Sequence, residues 1–144
     1  MARLEFDHTM PCRLDPAALA DWLFEAVRDT EAVPIWPHGL NRVRIPRLEP
    51  GQLFEAEYRL PLRAAKLPYL VSEVLPGEGF SYAPAAGHPF HGLVHVRVRQ
   101  HRQGSALAWF GSYEAPAWRP ERAFFRFYFE PRFFRALGKG LAKL

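Results

Sequence analysis

Apolar and polar residues alternate along LEFDHTM (4–10), with Leu4, Phe6, His8 and Met10 on one side and Glu5, Asp7 and Thr9 on the other. Period two predicts a strand with one buried face. The period then lengthens. In LDPAALADWLFEAV, Ala18, Leu19, Trp22, Leu23, Ala26 and Val27 recur at helical spacing, and Asp15 before Pro16 supplies an N-cap with proline at the first helical position. An amphipathic helix is expected over 16–27. In RDTEAVPIWPHGL, Asp29 or Thr30 can cap one short turn, but Pro34, Pro37 and Gly39 prevent a long helix. Two short helices therefore follow the first strand.

From residue 41 the alternation returns, predicting strands at about 41–48, 52–63, 67–76, 79–84, 91–102 and 105–115. The turn segments EPGQ, PGEG, PAAGHP and RQGS separate them. Strands joined by such short turns imply an antiparallel meander. After Pro116 the pattern is helical again, with Phe124, Phe127, Tyr128, Phe134, Leu137, Leu141 and Leu144 as a broad apolar stripe. Pro131 should kink or divide that helix, because it removes a backbone donor and crowds the preceding turn. No repeat, linker or composition shift interrupts the chain, so 1–144 reads as one domain of about seven strands in the α+β class. A curved antiparallel sheet, apolar on one face, needs a cover, and the C-terminal helix is the candidate. The space between them is a natural ligand cavity.

This order resembles the helix-grip fold of the START-like superfamily, also called SRPBCC, over essentially the whole chain. VSEVLPGEGFSYAP (71–84) looks like that family's strand ending in a proline turn, followed by a strand bearing an aromatic residue. GSALAW (104–109) sits where many members have a Gly-Gly-Thr turn leading into an apolar strand with Trp. Here the turn is Gln103-Gly104-Ser105, a departure at two of its three positions. FYFEPRFFRALGKGLAKL (127–144) is similar to their C-terminal helix. The order of these stretches along the chain carries more weight than any one of them. The resemblance implies an internal cavity for a lipid, quinone, polyketide or aromatic compound.

Composition changes this picture little. Aromatic residues make up 15% of the chain, and twelve are Phe, which is material for a large core or an apolar cavity. The net charge of +4 comes almost wholly from arginines scattered along the chain, whereas phosphate binding concentrates charge on one face. Nucleic acid is therefore a disfavoured partner. The single Cys12 excludes an intrachain disulfide and fits a cytoplasmic location. No apolar run approaches the length of a transmembrane segment. The exposed side of the aromatic helix allows a homodimer.

Four of six histidines cluster in GHPFHGLVHVRVRQHRQG (87–104). On a helix, His88, His91 and His95 would line one face, as zinc motifs require. Val94, Val96 and Val98 alternate with His95, Arg97 and Arg99, however, which is strand patterning. On a strand His91 and His95 stand about 13 Å apart at roughly 3.3 Å per residue, beyond the reach of one ion. No metal and no cofactor are expected. Cys12 has no base assigned beside it, the serines lack a nucleophile-elbow context, and Gly138-Lys139-Gly140 lacks the rest of a phosphate loop. No catalytic residue can be named.

Alternation nominates the cavity lining instead. Tyr58, Tyr82, Trp109 and Tyr113 are its polar-tipped candidates, and Val94 and Val96 share the inward face. Trp36 and His38, on the proline-rich turn, would form a lid or mouth. Phe127 and Phe134 would close the far wall. The favoured reading is a binder of a hydrophobic small molecule in this closed chamber. A cyclase/dehydratase-type enzyme using the same pocket is the first alternative. An interaction module using the basic sheet face for protein or RNA is the second.

Overall fold

The period-two segments pair into a single sheet. In the computed structural model, which describes residues 1–144, strand β1 spans Ala2–Cys12, helix α1 spans Pro16–Ala26, and a 3-10 turn occupies Thr30–Ala32. Strands β2 (Asn41–Val43), β3 (Leu53–Arg59), β4 (Ala64–Leu75) and β5 (Gly79–Pro84) follow, then β6 (His91–His101) and β7 (Gly104–Ala115). One continuous helix, α2, runs over 120–141, 22 residues in all. The sheet order is β1-β7-β6-β5-β4-β3-β2 with every pair antiparallel. Strands β2 to β7 form the meander, and β1 joins β7 in register from Ala2 opposite Ala115 to Cys12 opposite Ser105. The sheet curls into a half-barrel gripping α2.

Local chemistry explains the boundaries. Asp15 accepts the Ala18 N–H at 2.8 Å, so α1 begins where the cap predicts. The second short helix is only the 3-10 turn, capped by Asp29 at the Glu31 N–H (3.1 Å) and stopped by Pro34. Strand β2 has three residues rather than eight, because the Ile45 N–H turns away to the Val27 carbonyl at 2.9 Å and Pro46 has no N–H. At the β4–β5 turn Gly79 has φ of 147°, and a Cβ there would sit 1.9 Å from the Val96 carbonyl oxygen. Only glycine fits such an approach.

Pro131 neither breaks nor divides α2. Residues Phe124–Phe129 instead form a π-helical segment, and the Glu130 N–H bonds back to the Phe125 carbonyl. The Phe127 carbonyl, which Pro131 cannot serve, lies 3.4 Å from Arg132 Nη1, and the Tyr128 carbonyl lies 3.2 Å from it. The widened turn rotates the upstream face relative to the downstream one. Phe125, Phe129, Phe133, Phe134, Leu137 and Leu141 are buried, while Phe127 is 76% exposed. The glycines of Gly138-Lys139-Gly140 are helical and serve packing, since a Cβ at Gly140 would meet Ile35 Cβ at 2.8 Å.

Candidate functional site

The inner faces of β3, β4, β5 and β7 bring aromatic side chains against α2. Tyr58 and Phe54 come from β3, Tyr69 from β4, Tyr82 from β5, and Trp109 and Tyr113 from β7. Phe133 stands edge-on to both Trp36 and Trp109, at 5.6 and 5.7 Å between ring centroids. Polar tips are satisfied inside this packing. Trp109 Nε1 donates to the Tyr82 hydroxyl at 3.0 Å, and Trp36 Nε1 donates to Asn41 Oδ1 at 3.2 Å. The Tyr58 and Tyr69 hydroxyls are hydrogen-bonded at 2.5 Å. Tyr58, Tyr69, Tyr82 and Tyr113 thus line the chamber as a series of buried tyrosines.

The packing leaves a chamber of about 40 Å³. That is room for a water molecule or so, and not for an organic ligand. Ligand-sized space lies beside it. A cleft of about 480 Å³ opens between the β3–β4 turn, the 87–90 loop and the first half of α2. Tyr58, Tyr69, Tyr113, Phe125 and Phe129 belong to both walls, so the chamber is the floor of the cleft. Leu60, Leu67 and Phe124 add apolar wall, and Arg63, Arg119 and Glu121 stand on the cleft as its charged groups. The expected closed chamber is corrected accordingly: aromatic volume fills the interior, and the usable space is at its mouth.

Electrostatics follow from burial. Desolvation disfavours the phenolate of every tyrosine in the series. It pushes Tyr58 up to about 12 against the hydrogen bond from Tyr69, and raises Tyr69, Tyr82 and Tyr113 further. These hydroxyls are hydrogen-bonding groups near neutral pH and not proton-transfer groups. His88, 8% exposed on the cleft wall, accepts the Phe90 N–H at Nδ1 (2.9 Å). Burial first, and the neighbouring His91 second, lower its pKa to about 4. The ring is therefore neutral at pH 7 with its proton on Nε2, and that atom has no partner.

Of the ten lining candidates, Tyr58 and Tyr113 line both spaces, and Trp36, Tyr82, Trp109 and Phe134 line the chamber only. Val94 and Val96 are fully buried on the inner face, opposite Tyr82 and Phe80, but reach neither space. His38 locks its own turn through Nε2 and the Thr30 carbonyl (2.5 Å) and is no lid. Phe127 points to solvent, because the π segment displaces it from the inward face. Alternation could have supplied Tyr69, which follows Leu67 at period two. His88, Phe125 and Phe129 carry no such signal, the first being in a loop and the others within the π segment.

The histidine-rich segment resolves into loop and strand. His95 faces outward and its Nδ1 lies 2.7 Å from Ser81 Oγ, and no three His, Cys, Asp or Glu side chains gather to hold an ion. The outward Arg97 is committed to the Phe80 carbonyl (2.6 Å), Ser81 Oγ (2.8 Å) and Glu73 (3.1 Å). His8 stacks on Phe134 at 4.0 Å, with Nε2 at 3.4 Å from the buried Glu130 carboxylate. Arg126, on the same helix, grips that carboxylate at 2.6 Å and donates to the Glu5 carbonyl at 2.7 Å, which fastens α2 to β1. No helix is long and apolar enough to cross a membrane.

A search by sequence finds neither a matching family model nor a matching curated protein. Solved structures do match. The di-domain ARO/CYC StfQ from the steffimycin biosynthetic pathway superposes with a TM-score of 0.67 at 16% identity, over 98% of this chain and 51% of that one. A Rhodobacter sphaeroides protein matches at TM-score 0.67 and 21% identity, over 99% of this chain and 93% of that one. Ara h 8.0201 matches at 0.61 and 9%, over 97% and 98%. At these identities the likeness establishes the fold alone: this chain has the helix-grip fold.

Proposed function

We propose that the protein binds an elongated, largely apolar small molecule in the cleft between the β3–β4 turn, the 87–90 loop and α2, with the tyrosine-rich chamber wall as its floor. The observation that carries this is the cleft of about 480 Å³ ending on buried aromatic rings. A space of that size lies within the usual range for small-molecule sites. Apolar contact with Leu60, Leu67, Phe124 and Phe129 would supply affinity at about 25 cal/mol per Å² buried. The structural likeness to StfQ, an ARO/CYC of a biosynthetic pathway, supports a small-molecule role. Binding is favoured over turnover because the tyrosine hydroxyls are all moved away from neutrality by burial, leaving no acid–base pair on the floor. The basic sheet face is a weaker partner surface, since Arg97 is already engaged within the protein. The lone, buried thiol of Cys12 supports a cytoplasmic setting.

Native mass spectrometry of the protein purified from its own host tests the reading. One small molecule retained per chain is expected in the wild type. Ala65 lines the cleft, so Ala65→Trp should fill it and abolish retention. A variant that folds and still retains the molecule would place binding elsewhere.

A further inference from the structure

Two buried polar atoms on the cleft have no hydrogen-bond partner, His88 Nε2 and Glu121 Oε1. His88 is more than nine-tenths buried, its Nδ1 is occupied by the Phe90 N–H, and its Nε2–H has no acceptor. A buried donor without a partner costs about 1–3 kcal/mol, and a ligand acceptor would relieve that. Tyr58 also lines the cleft. Its hydroxyl meets that of Tyr69, and the His88 ring stands edge-to-face to Tyr69 at 4.8 Å.

Farther out, Arg63 lies on the cleft with no carboxylate within 4 Å, whereas Glu121 has Arg119 Nη1 at 3.9 Å.

We propose that the ligand carries an acceptor oxygen, a carboxylate or a carbonyl, at its inner end, held by the Nε2–H of His88. This rests on the cleft being the binding site. Because His88 stays neutral down to about pH 4, it offers a fixed hydrogen bond rather than a titrating charge across the physiological range. Arg63 adds attraction for the anionic member of the pair.

Isothermal titration with four probes on one ring system tests it: 2-naphthoate, 2-acetonaphthone, 2-naphthylmethylamine and naphthalene. Naphthoate or acetonaphthone should bind roughly tenfold or more tighter than naphthalene, the range of one or two buried hydrogen bonds. Comparing those two arms separates an acid ligand from a ketone. His88→Asn keeps an acceptor for the Phe90 N–H but has no donor at the Nε2 position, and should erase the preference. His88→Gln places an amide N–H there and should retain it. Should the His88 variants fail to fold, the ranking of the four probes on the wild type still decides the proposal. Equal affinity for all four probes, with binding lost in Ala65→Trp, would overturn the acceptor proposal and leave the cleft reading standing. Tightest binding of the amine would overturn it in favour of Glu121. No binding of any probe would sink both.

Discussion

The chamber and the cleft share five aromatic residues yet follow opposite rules. In the chamber, rings interdigitate until about 40 Å³ remains, and the indole N–H groups both have partners. In the cleft, space of about 480 Å³ persists, and a buried imidazole donor is left without one. Close packing and complete hydrogen bonding characterise a region that stabilises the fold. Open volume beside an unsatisfied polar atom characterises a region that awaits something. The boundary runs through Tyr58, Tyr69 and Tyr113, which line both.

The largest effect expected from this contrast is on stability. Phe133 is 2% exposed, stacks on Phe129 at 4.9 Å and is edge-on to both chamber tryptophans. Phe133→Ala should cost about 3–5 kcal/mol, measured by urea denaturation. Phe124 is a half-buried ring on the cleft wall, and Phe124→Ala should cost less than half as much. Equal losses would mean that the chamber is no better packed than the cleft.

A smaller effect belongs to the cleft alone. The folded pKa of His88, about 4, lies below the usual 6.5, so the unfolded chain takes up its proton first. The stability linked to this group is intact above pH 6.5, declines as pH falls toward 4, and levels off below that. Between pH 7 and pH 4.5 the wild type should lose roughly 2 kcal/mol more than His88→Gln, which has no proton to gain. Parallel losses in the two proteins would show that His88 is solvated, and the cleft floor with it.

The strands were legible because each has one wet face. Phe54 and Ala56 are buried while Glu55 is exposed, as alternation requires, and β5 and β6 fall within a residue of their expected limits. The cap of α1 was legible because Asp-Pro is a local instruction. What alternation could not convey is volume. It assigns Trp36, Tyr82 and Trp109 to the interior but cannot say whether facing rings leave a void or fill it, and here they fill it. Nor could it find His88, whose burial depends on the 87–90 loop folding against Tyr69 and Tyr113.

The same limit governs α2, where a regular helical period extended back from Leu137 through Phe134 reaches Phe127. The π segment adds a residue to the turn between them and places Phe125 and Phe129 inward instead. This yields the smallest expected effect. Phe127→Ala should change stability by less than about 0.5 kcal/mol, the level of an ordinary surface substitution, and should leave ligand retention intact. Phe127 and Phe133 lie on one helix six residues apart, so the difference between their two alanine variants measures where the helix turns its face. A Phe127→Ala loss comparable to that of Phe133→Ala would mean that the helix keeps a regular period through Pro131. It would also rotate Phe125 and Phe129 away from the cleft, removing the wall on which the proposed site depends.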